Sequence, residues 1–347
     1  MIKIVTSIVL LTVSLLQAAN NSVNIKIPKV PEVPKVEAVV PKLTVTDASP
    51  SKTNEEIIAE ATKKDVVVFS DRVAPFMIHE DENAKSDSNK TLEVGDLDNG
   101  RVTAYLHAPY MDVKSVQKTL KSAGFDVVAT YKVDKKGLAT SVVFTNKEIQ
   151  KSAAKTNRGF ASTLRVTIDK KNKLISISNP IYIMKAFMQD EYNSALAEAT
   201  LKTIRDNFKE LKASNEVIKF RVLERFKFME GMPTYNDMIV VKKGSKNATL
   251  FKKAKKSKKL LYSQTLANGS IVVGLKLGKR TTKFIKKTGY QNAGLLPYPV
   301  LIEDGKAKML DPKYYIAVMY PMLKMSQFMK ISTVPGAITK DIDKIFR

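Results

Sequence analysis

The 347-residue chain contains no cysteine, no tryptophan and only two histidines, His79 and His107. Without cysteine there can be no disulfide and no thiolate metal site, and two histidines form a usual zinc site only with help from carboxylates. The sequence also lacks a Gly-x-Ser-x-Gly elbow, a phosphate-binding P-loop and a Gly-rich dinucleotide turn. It therefore predicts no cofactor and favours a non-enzymatic protein. An enzyme with an unrecognised carboxylate site is the alternative.

Arginine is scarce, with 9 residues against 49 lysines, and the formal net charge is +24. A positive surplus of this size attracts anionic partners. Nucleic-acid sites favour the bidentate arginine fork, so nucleic acid is the less suitable partner. The sequence instead favours an anionic envelope component, namely lipid headgroups, polysaccharide or an acidic protein. The alternative is that the lysine excess reflects composition alone and serves no specific ligand.

Long apolar runs are also rare, and the one that stands out, Ile4–Leu16, follows the single early charge of Lys3. Small residues come next at Ala18 and Ala19, which is typical of a secretory signal peptide cleaved near those positions. The run is shorter than the ~20 residues of a spanning helix. Residues 1–19 are therefore predicted to direct a soluble protein to the periplasm or the exterior. An uncleaved signal anchor is the alternative.

The next part of the chain is rich in proline and then in acidic residues. In residues 20–52, Pro28, Pro31 and Pro34 recur every third position, which is the repeat of a polyproline II rod. This segment is predicted to be a spacer or a docking strip, with a passive tether as the simpler reading. Residues 53–100 are predicted to contain a short helix, a short strand and an acidic loop.

A ten-residue pattern occurs twice, as KEIQKSAAKT from Lys147 and as KRTTKFIKKT from Lys279, 132 residues apart. Asn179-Pro180 and Asp311-Pro312 match at the same offset, and so do Tyr182 and Tyr314. Each Asn/Asp-Pro pair is typical of a helix start. Fixed-offset similarity predicts a duplication, with related domains at 101–215 and 216–347. Each is expected to contain a strand, a helix, four strands and a helix, which makes the protein α+β.

The segments LKSAGFDVV and ISISNPIYIMKAF, together with this element order, resemble the family called domain of unknown function 302. The resemblance covers about residues 101–211 and, more loosely, 234–330. It implies a curved antiparallel sheet with helices on one side, like half of the TATA-binding protein saddle. The chain departs from the family through the inserted lysine-rich helix and through Asp-Pro in the second copy. The family has no established activity, so the resemblance implies no catalytic residue.

Lysine rows are the candidate anion-binding residues. Spacing of four predicts that each copy of the repeated motif presents its lysines along a helix. The densest cluster lies in LFKKAKKSKKLL, where mutual repulsion would be relieved by an anionic partner. A solvated outer face without a ligand is the alternative. The candidate residues are Lys147, Lys151 and Lys155, Lys279, Lys283 and Lys287, and Lys252, Lys253, Lys255, Lys256, Lys258 and Lys259.

Methionines recur at spacings of 3, 3 and 4 at Met319, Met322, Met325 and Met329. This spacing predicts one face of one helix. Thioethers are soft ligands that suit Cu(I), so copper handling is a further alternative function. Methionine also fills irregular cores, which is the simpler interpretation of the pattern.

Overall fold

A computed structural model describes residues 91–347, which form three antiparallel sheets and several helices. The α+β class expected from the sequence is confirmed at this level. The predicted signal peptide, the proline-rich segment and most of residues 53–100 lie outside the described residues. No helix among residues 91–347 is both long enough and apolar enough to cross a bilayer.

Residues 91–347 contain thirteen strands and nine α-helices. The strands are β1 (Arg101–Thr103), β2 (Tyr105–Pro109), β3 (Asp126–Lys132), β4 (Ala139–Thr145), β5 (Leu164–Asp169), β6 (Leu174–Ser178), β7 (Lys212–Ala213), β8 (Val217–Lys219), β9 (Ile239–Lys243), β10 (Leu260–Thr265), β11 (Ile271–Leu275), β12 (Tyr298–Glu303) and β13 (Lys306–Met309). The α-helices are α1 (Val113–Ser122), α2 (Lys147–Ser152), α3 (Pro180–Met188), α4 (Ser194–Asn207), α5 (Asn247–Lys256), α6 (Ile285–Thr288), α7 (Pro312–Met319), α8 (Met325–Met329) and α9 (Val334–Phe346).

The two larger sheets contain their strands in corresponding order. The first sheet runs β3-β4-β5-β6-β2-β7, and the second runs β10-β11-β12-β13-β9. Both begin with a hairpin that contains an irregularity at the same place, between Val127 and Ala129 in β3 and between Leu260 and Tyr262 in β10. A bulge bends its strand and is a specific feature of a sheet, so its recurrence is a further similarity between the two hairpins.

Local sequence explains where the principal helices begin. The side chains of Asp112, Asn179 and Asp311 accept hydrogen bonds from backbone N–H groups in the first turns of α1, α3 and α7. Proline occupies the first turn of α3 and of α7, where its missing N–H has no intrahelical partner to lose. The interpretation of the Asn-Pro and Asp-Pro pairs as helix starts is therefore confirmed.

Two features differ from the sequence-based expectation. The element order expected from the sequence has one strand before the first helix of the domain at 101–215, but the chain leaves strand geometry at Ala104. β1 therefore pairs with β8 in a separate two-stranded sheet, while β2 joins the first large sheet. The C-terminal helix α9, which packs on α5 and β9, has no counterpart among the predicted elements.

The two large sheets pack against each other through two short 3₁₀ segments. The Gly159 segment (Gly159–Ser162) comes from the first sheet unit and lies on β11 and β12, while the Gly294 segment (Tyr290–Leu295) comes from the second and lies on β4, β5 and β6. An ideal Cβ on Gly159 would be 2.6 Å from Leu301 Cδ1, so a larger residue here would force the Leu301 side chain to shift. Each large sheet is thus contacted by a 3₁₀ segment from the part of the chain that forms the other sheet.

The helices α3 and α7 make a second reciprocal contact between the units. The Tyr182 hydroxyl donates a hydrogen bond to the carbonyl oxygen of Val318 at 2.6 Å, and the Tyr314 hydroxyl donates one to the carbonyl oxygen of Ala186 at 3.4 Å. Tyr314 and Val318 each lie 132 residues after Tyr182 and Ala186, respectively. The two contacts are therefore related by the same 132-residue offset in both donor and acceptor.

Candidate anion-binding surface

Basic residues are concentrated in one part of the described chain, residues 238–302. This span contains 14 lysines, one arginine and neither aspartate nor glutamate. Asp237 precedes it and Glu303 follows it. The field of these charges is therefore uncompensated within the span, and the attraction for anions is strongest where several of them are exposed together.

Helix α5 gathers the densest part of this charge. Leu250 and Ala254 are buried and fix the side of the helix that faces the core, so Lys252, Lys255 and Lys256 extend from its solvent-exposed sides. Cations in the last turn also interact favourably with the negative end of the helix dipole. This placement explains how the helix tolerates so many like charges.

The six lysines of this cluster are not equivalent, although the sequence treats them alike. Lys253 is half-buried, and its Nζ donates hydrogen bonds to the carbonyl oxygens of Phe346 at 3.1 Å and Arg347 at 2.9 Å. It therefore secures the end of α9. Lys259 is also half-buried, and its carbonyl oxygen accepts from the backbone N–H of Lys276.

The four remaining members are exposed and form what we call the lysine surface: Lys252, Lys255, Lys256 and Lys258. Lys258 lies beyond the last residue of α5. Lys255 Nζ lies 4.7 Å from the centroid of the Phe251 ring, a cation–π contact that keeps the ammonium at the surface. For Lys252, Lys256 and Lys258, residues 91–347 provide no hydrogen-bond or ion-pair partner.

The repeated lysine motif does not form the long helical rows that its spacing predicts. In the first copy, α2 ends at Ser152, so Lys147 and Lys151 share the helix while Lys155 lies beyond it and pairs with Glu191. The prediction of a three-lysine helical ridge here is wrong because the helix has only six residues.

The second copy of the motif is also interrupted. Lys279 precedes a 3₁₀ helix over Thr281–Phe284 that contains Lys283, and Lys287 lies on the four-residue α6. Lys287 Nζ donates to the carbonyl oxygen of Lys330 at 2.6 Å. The three lysines thus lie on different elements rather than on one helical row, and Phe284 and Ile285 between them are buried.

The prediction of a methionine stripe on one helix is also wrong. α7 ends at Met319, which is buried, and α8 begins only at Met325. Met322 lies between the two helices, and Met322 and Met329 are both exposed. Among residues 91–347, no group of three or more His, Cys, Asp or Glu side chains is arranged to hold a metal ion.

His107 and the nearby carboxylate of Asp169 are the histidine and the acid that could form an acid–base pair in the described chain. His107 lies in β2, where burial lowers the pKa of its imidazole and the nearby Asp169 carboxylate opposes that shift. Asp169 itself accepts hydrogen bonds from the backbone N–H groups of Lys171 and Asn172 and from the Asn172 amide. His79 lies outside the described residues. No hydrogen bond joins His107 to Asp169 within residues 91–347.

Two carboxylates that sequence reasoning did not single out lie in a cleft of about 260 Å³. Asp190 pairs with Arg158 at 2.6 Å, and Glu224 pairs with Lys185. The guanidinium of Arg158 also lies 5.6 Å from the centroid of the Tyr235 ring. Each carboxylate in the cleft therefore has its own cation.

A third carboxylate, Glu216, lies between β7 and β8, close to the segment that joins α7 to α8. Burial raises the pKa of Glu216 to about 7, although hydrogen bonds from the Met322 N–H, at 2.9 Å, and from Asn292 act in the opposite direction. No spacing pattern in the sequence marks this residue, because its environment is assembled from segments more than 75 residues apart in the chain.

Comparison of the chain with protein-family models, with curated proteins and with solved structures gave no significant match.

Proposed function

We propose that this chain is an exported, non-enzymatic protein that binds an anionic envelope surface through the lysine surface. The observation that carries the proposal is the span 238–302, which has no acidic residue and presents the lysine surface on and beside α5. Export is supported by the apolar run Ile4–Leu16 and the small residues after it. Anionic lipid headgroups supply the negative charge that such a cluster recognises.

The scaffold that presents this surface is, in our proposal, a duplicated domain. Its support is the corresponding strand order of the two large sheets, the hairpin irregularity at the same position, and the reciprocal contacts of Tyr182 and Tyr314. A curved, saddle-like sheet of the kind found in domain of unknown function 302 is the finer architecture that we propose for each half.

The test is binding to vesicles that contain phosphatidylglycerol, with vesicles of phosphatidylcholine alone as the neutral reference. Each lysine near an anionic membrane contributes about 1 kcal/mol at most, and salt screening reduces this. Changing Lys252, Lys255, Lys256 and Lys258 to Gln should therefore weaken binding at low salt about 10-fold or more. Lys253 is left unchanged because it secures the end of α9.

The matched control changes four exposed lysines of the first half, Lys114, Lys118, Lys147 and Lys151, to Gln. It removes the same total charge but leaves the lysine surface intact, so its binding should fall much less. Equal losses in the two variants would reduce the attraction to net charge alone. Binding that does not respond to either variant or to salt would contradict the proposal.

A further inference from the structure

The interface between the two large sheets contains an unpaired buried cation, Arg165. This residue lies in β5 and is only 2% exposed. Its one hydrogen bond within residues 91–347 is a long one, in which Nη2 donates to the carbonyl oxygen of Pro297 at 3.5 Å. Its buried Nε has no partner. Arginine is almost never fully buried unless it is paired, so this environment is incomplete.

The ionisable groups close to Arg165 do not supply the missing negative charge. Burial disfavours its charged form, and the nearby phenol groups of Tyr315, Tyr262 and Tyr105 act in the opposite direction and raise its pKa above the ordinary value. Burial also raises the pKa of Tyr315 to about 12 and that of Tyr105 well above its usual range. These two phenols are therefore neutral near pH 7, where the guanidinium is charged.

A buried charge without a counter-ion costs several kcal/mol, and the same interface elsewhere avoids that cost. Lys308 is buried too, but its Nζ pairs with the buried carboxylate of Glu303 and donates to the Asn157 amide oxygen. Water could satisfy the open N–H of Arg165 but would leave its charge uncompensated. The chemistry that completes the site is an anion.

The unsatisfied groups near Arg165 include hydrogen-bond donors that suit an anion. The Tyr315 hydroxyl is fully buried and has no hydrogen-bond partner within the described residues. The hydroxyl of Thr167, two residues after Arg165 and therefore on the same face of β5, is also buried and without a partner. Its cross-strand neighbours Ser141 and Ser176 are in the same state.

We propose that the interface between the two large sheets binds a small inorganic anion of the halide class at Arg165. The guanidinium Nε–H and the Tyr315 O–H are the donors, and the ion supplies the charge that this buried site lacks. The proposal is independent of the lysine surface, because it concerns an interior site that the surface variants leave unchanged.

The direct test uses crystals of the unchanged full chain equilibrated with sodium bromide. Bromide replaces chloride and scatters anomalously, so the expected result is an anomalous peak within hydrogen-bond distance of Arg165 Nε. Bromide peaks restricted to exposed lysines, with none at Arg165, would overturn the proposal. This measurement does not depend on whether any variant folds.

The solution test compares urea-unfolding midpoints in sodium chloride and in sodium gluconate at equal ionic strength. The unchanged protein should be more stable in chloride, since an anion that binds only the folded state shifts the midpoint upward. Tyr315→Phe should reduce this difference and Arg165→Met should abolish it. Arg205→Met, which removes an arginine already paired with Glu93 and Asp96, should retain it. The same difference in all four proteins would contradict a site at Arg165.

Discussion

The facing surfaces of the two large sheets differ in chemistry although their strands correspond. Strand register places His107, Ser176, Thr167 and Ser141 in one row across the first sheet. The corresponding row in the second sheet consists of Val240, Lys308, Leu301 and Val272. One row is thus polar throughout, whereas the other is apolar except for a single lysine.

This difference shows that the same sheet geometry supports two kinds of interface. The second sheet buries Leu301 and Val272 against the Gly159 segment, which is an ordinary apolar contact. The first sheet buries hydroxyls without partners against the Gly294 segment, which is costly unless water or an ion completes them. A buried binding site is therefore expected beside the first sheet, whereas the basic surface belongs to the second.

The strongest test of the comparison removes one polar side chain from each of the two rows. Lys308→Met should destabilise the protein by about 3–5 kcal/mol, because it leaves the Glu303 carboxylate buried without its cation. Ser176→Ala, at the corresponding position, should change stability by less than about 0.5 kcal/mol, since its hydroxyl has no partner to lose. Urea unfolding measures both.

Adding Glu303→Gln to Lys308→Met should recover part of the lost stability, because a neutral amide retains an acceptor for the Asn157 N–H. If Ser176→Ala proves as damaging as Lys308→Met, the two rows are energetically alike and the comparison fails.

A smaller effect is expected at the two glycines that allow the units to approach. Alanine at Gly159 would place a Cβ 2.6 Å from Leu301 Cδ1 and 3.0 Å from Val272 Cγ2, which should cost about 1–3 kcal/mol through overpacking. Alanine at Gly294 would approach Tyr105 Cε1 at 3.2 Å and should cost less.

The control for this pair is a compensating change. Leu301→Val removes the Cδ1 methyl group against which the new methyl group collides, so it should restore part of the stability in the Gly159→Ala background. If the stability losses of Gly159→Ala and Leu301→Val are additive in the double variant, the contact with Leu301 does not limit how closely residue 159 approaches the second sheet.

The Asn-Pro and Asp-Pro pairs predicted the starts of α3 and α7, and the expected element order predicted the α+β class, because these depend on neighbouring residues. The helices of the repeated lysine motif were predicted too long, because α2 ends at Ser152 and α6 contains only four residues. Arg165 and Glu216 carried no signal at all. Their environments arise from residues brought together only by the packing of the two sheet units.

The acid-free span 238–302 is a different case, because counting charges along the chain is enough to find it. Which of its lysines are exposed cannot be predicted by counting charges. Lys253 and Lys256 occupy similar positions in the sequence, yet one secures the end of α9 and the other is exposed.

The last prediction concerns the reciprocal tyrosines, whose match at a 132-residue offset is visible in the sequence. Tyr182→Phe removes a 2.6 Å hydrogen bond and leaves the Val318 carbonyl, in the last turn of α7, without that donor; we expect a loss of about 1–2 kcal/mol. Tyr314→Phe removes a 3.4 Å bond to the Ala186 carbonyl, which also accepts from the Gln189 amide, so the loss should be below about 0.5 kcal/mol. Urea unfolding of both single variants and of the double variant measures the difference. Equal losses would mean that the two contacts are energetically symmetric, and the differentiation of the two halves would then be confined to their facing rows.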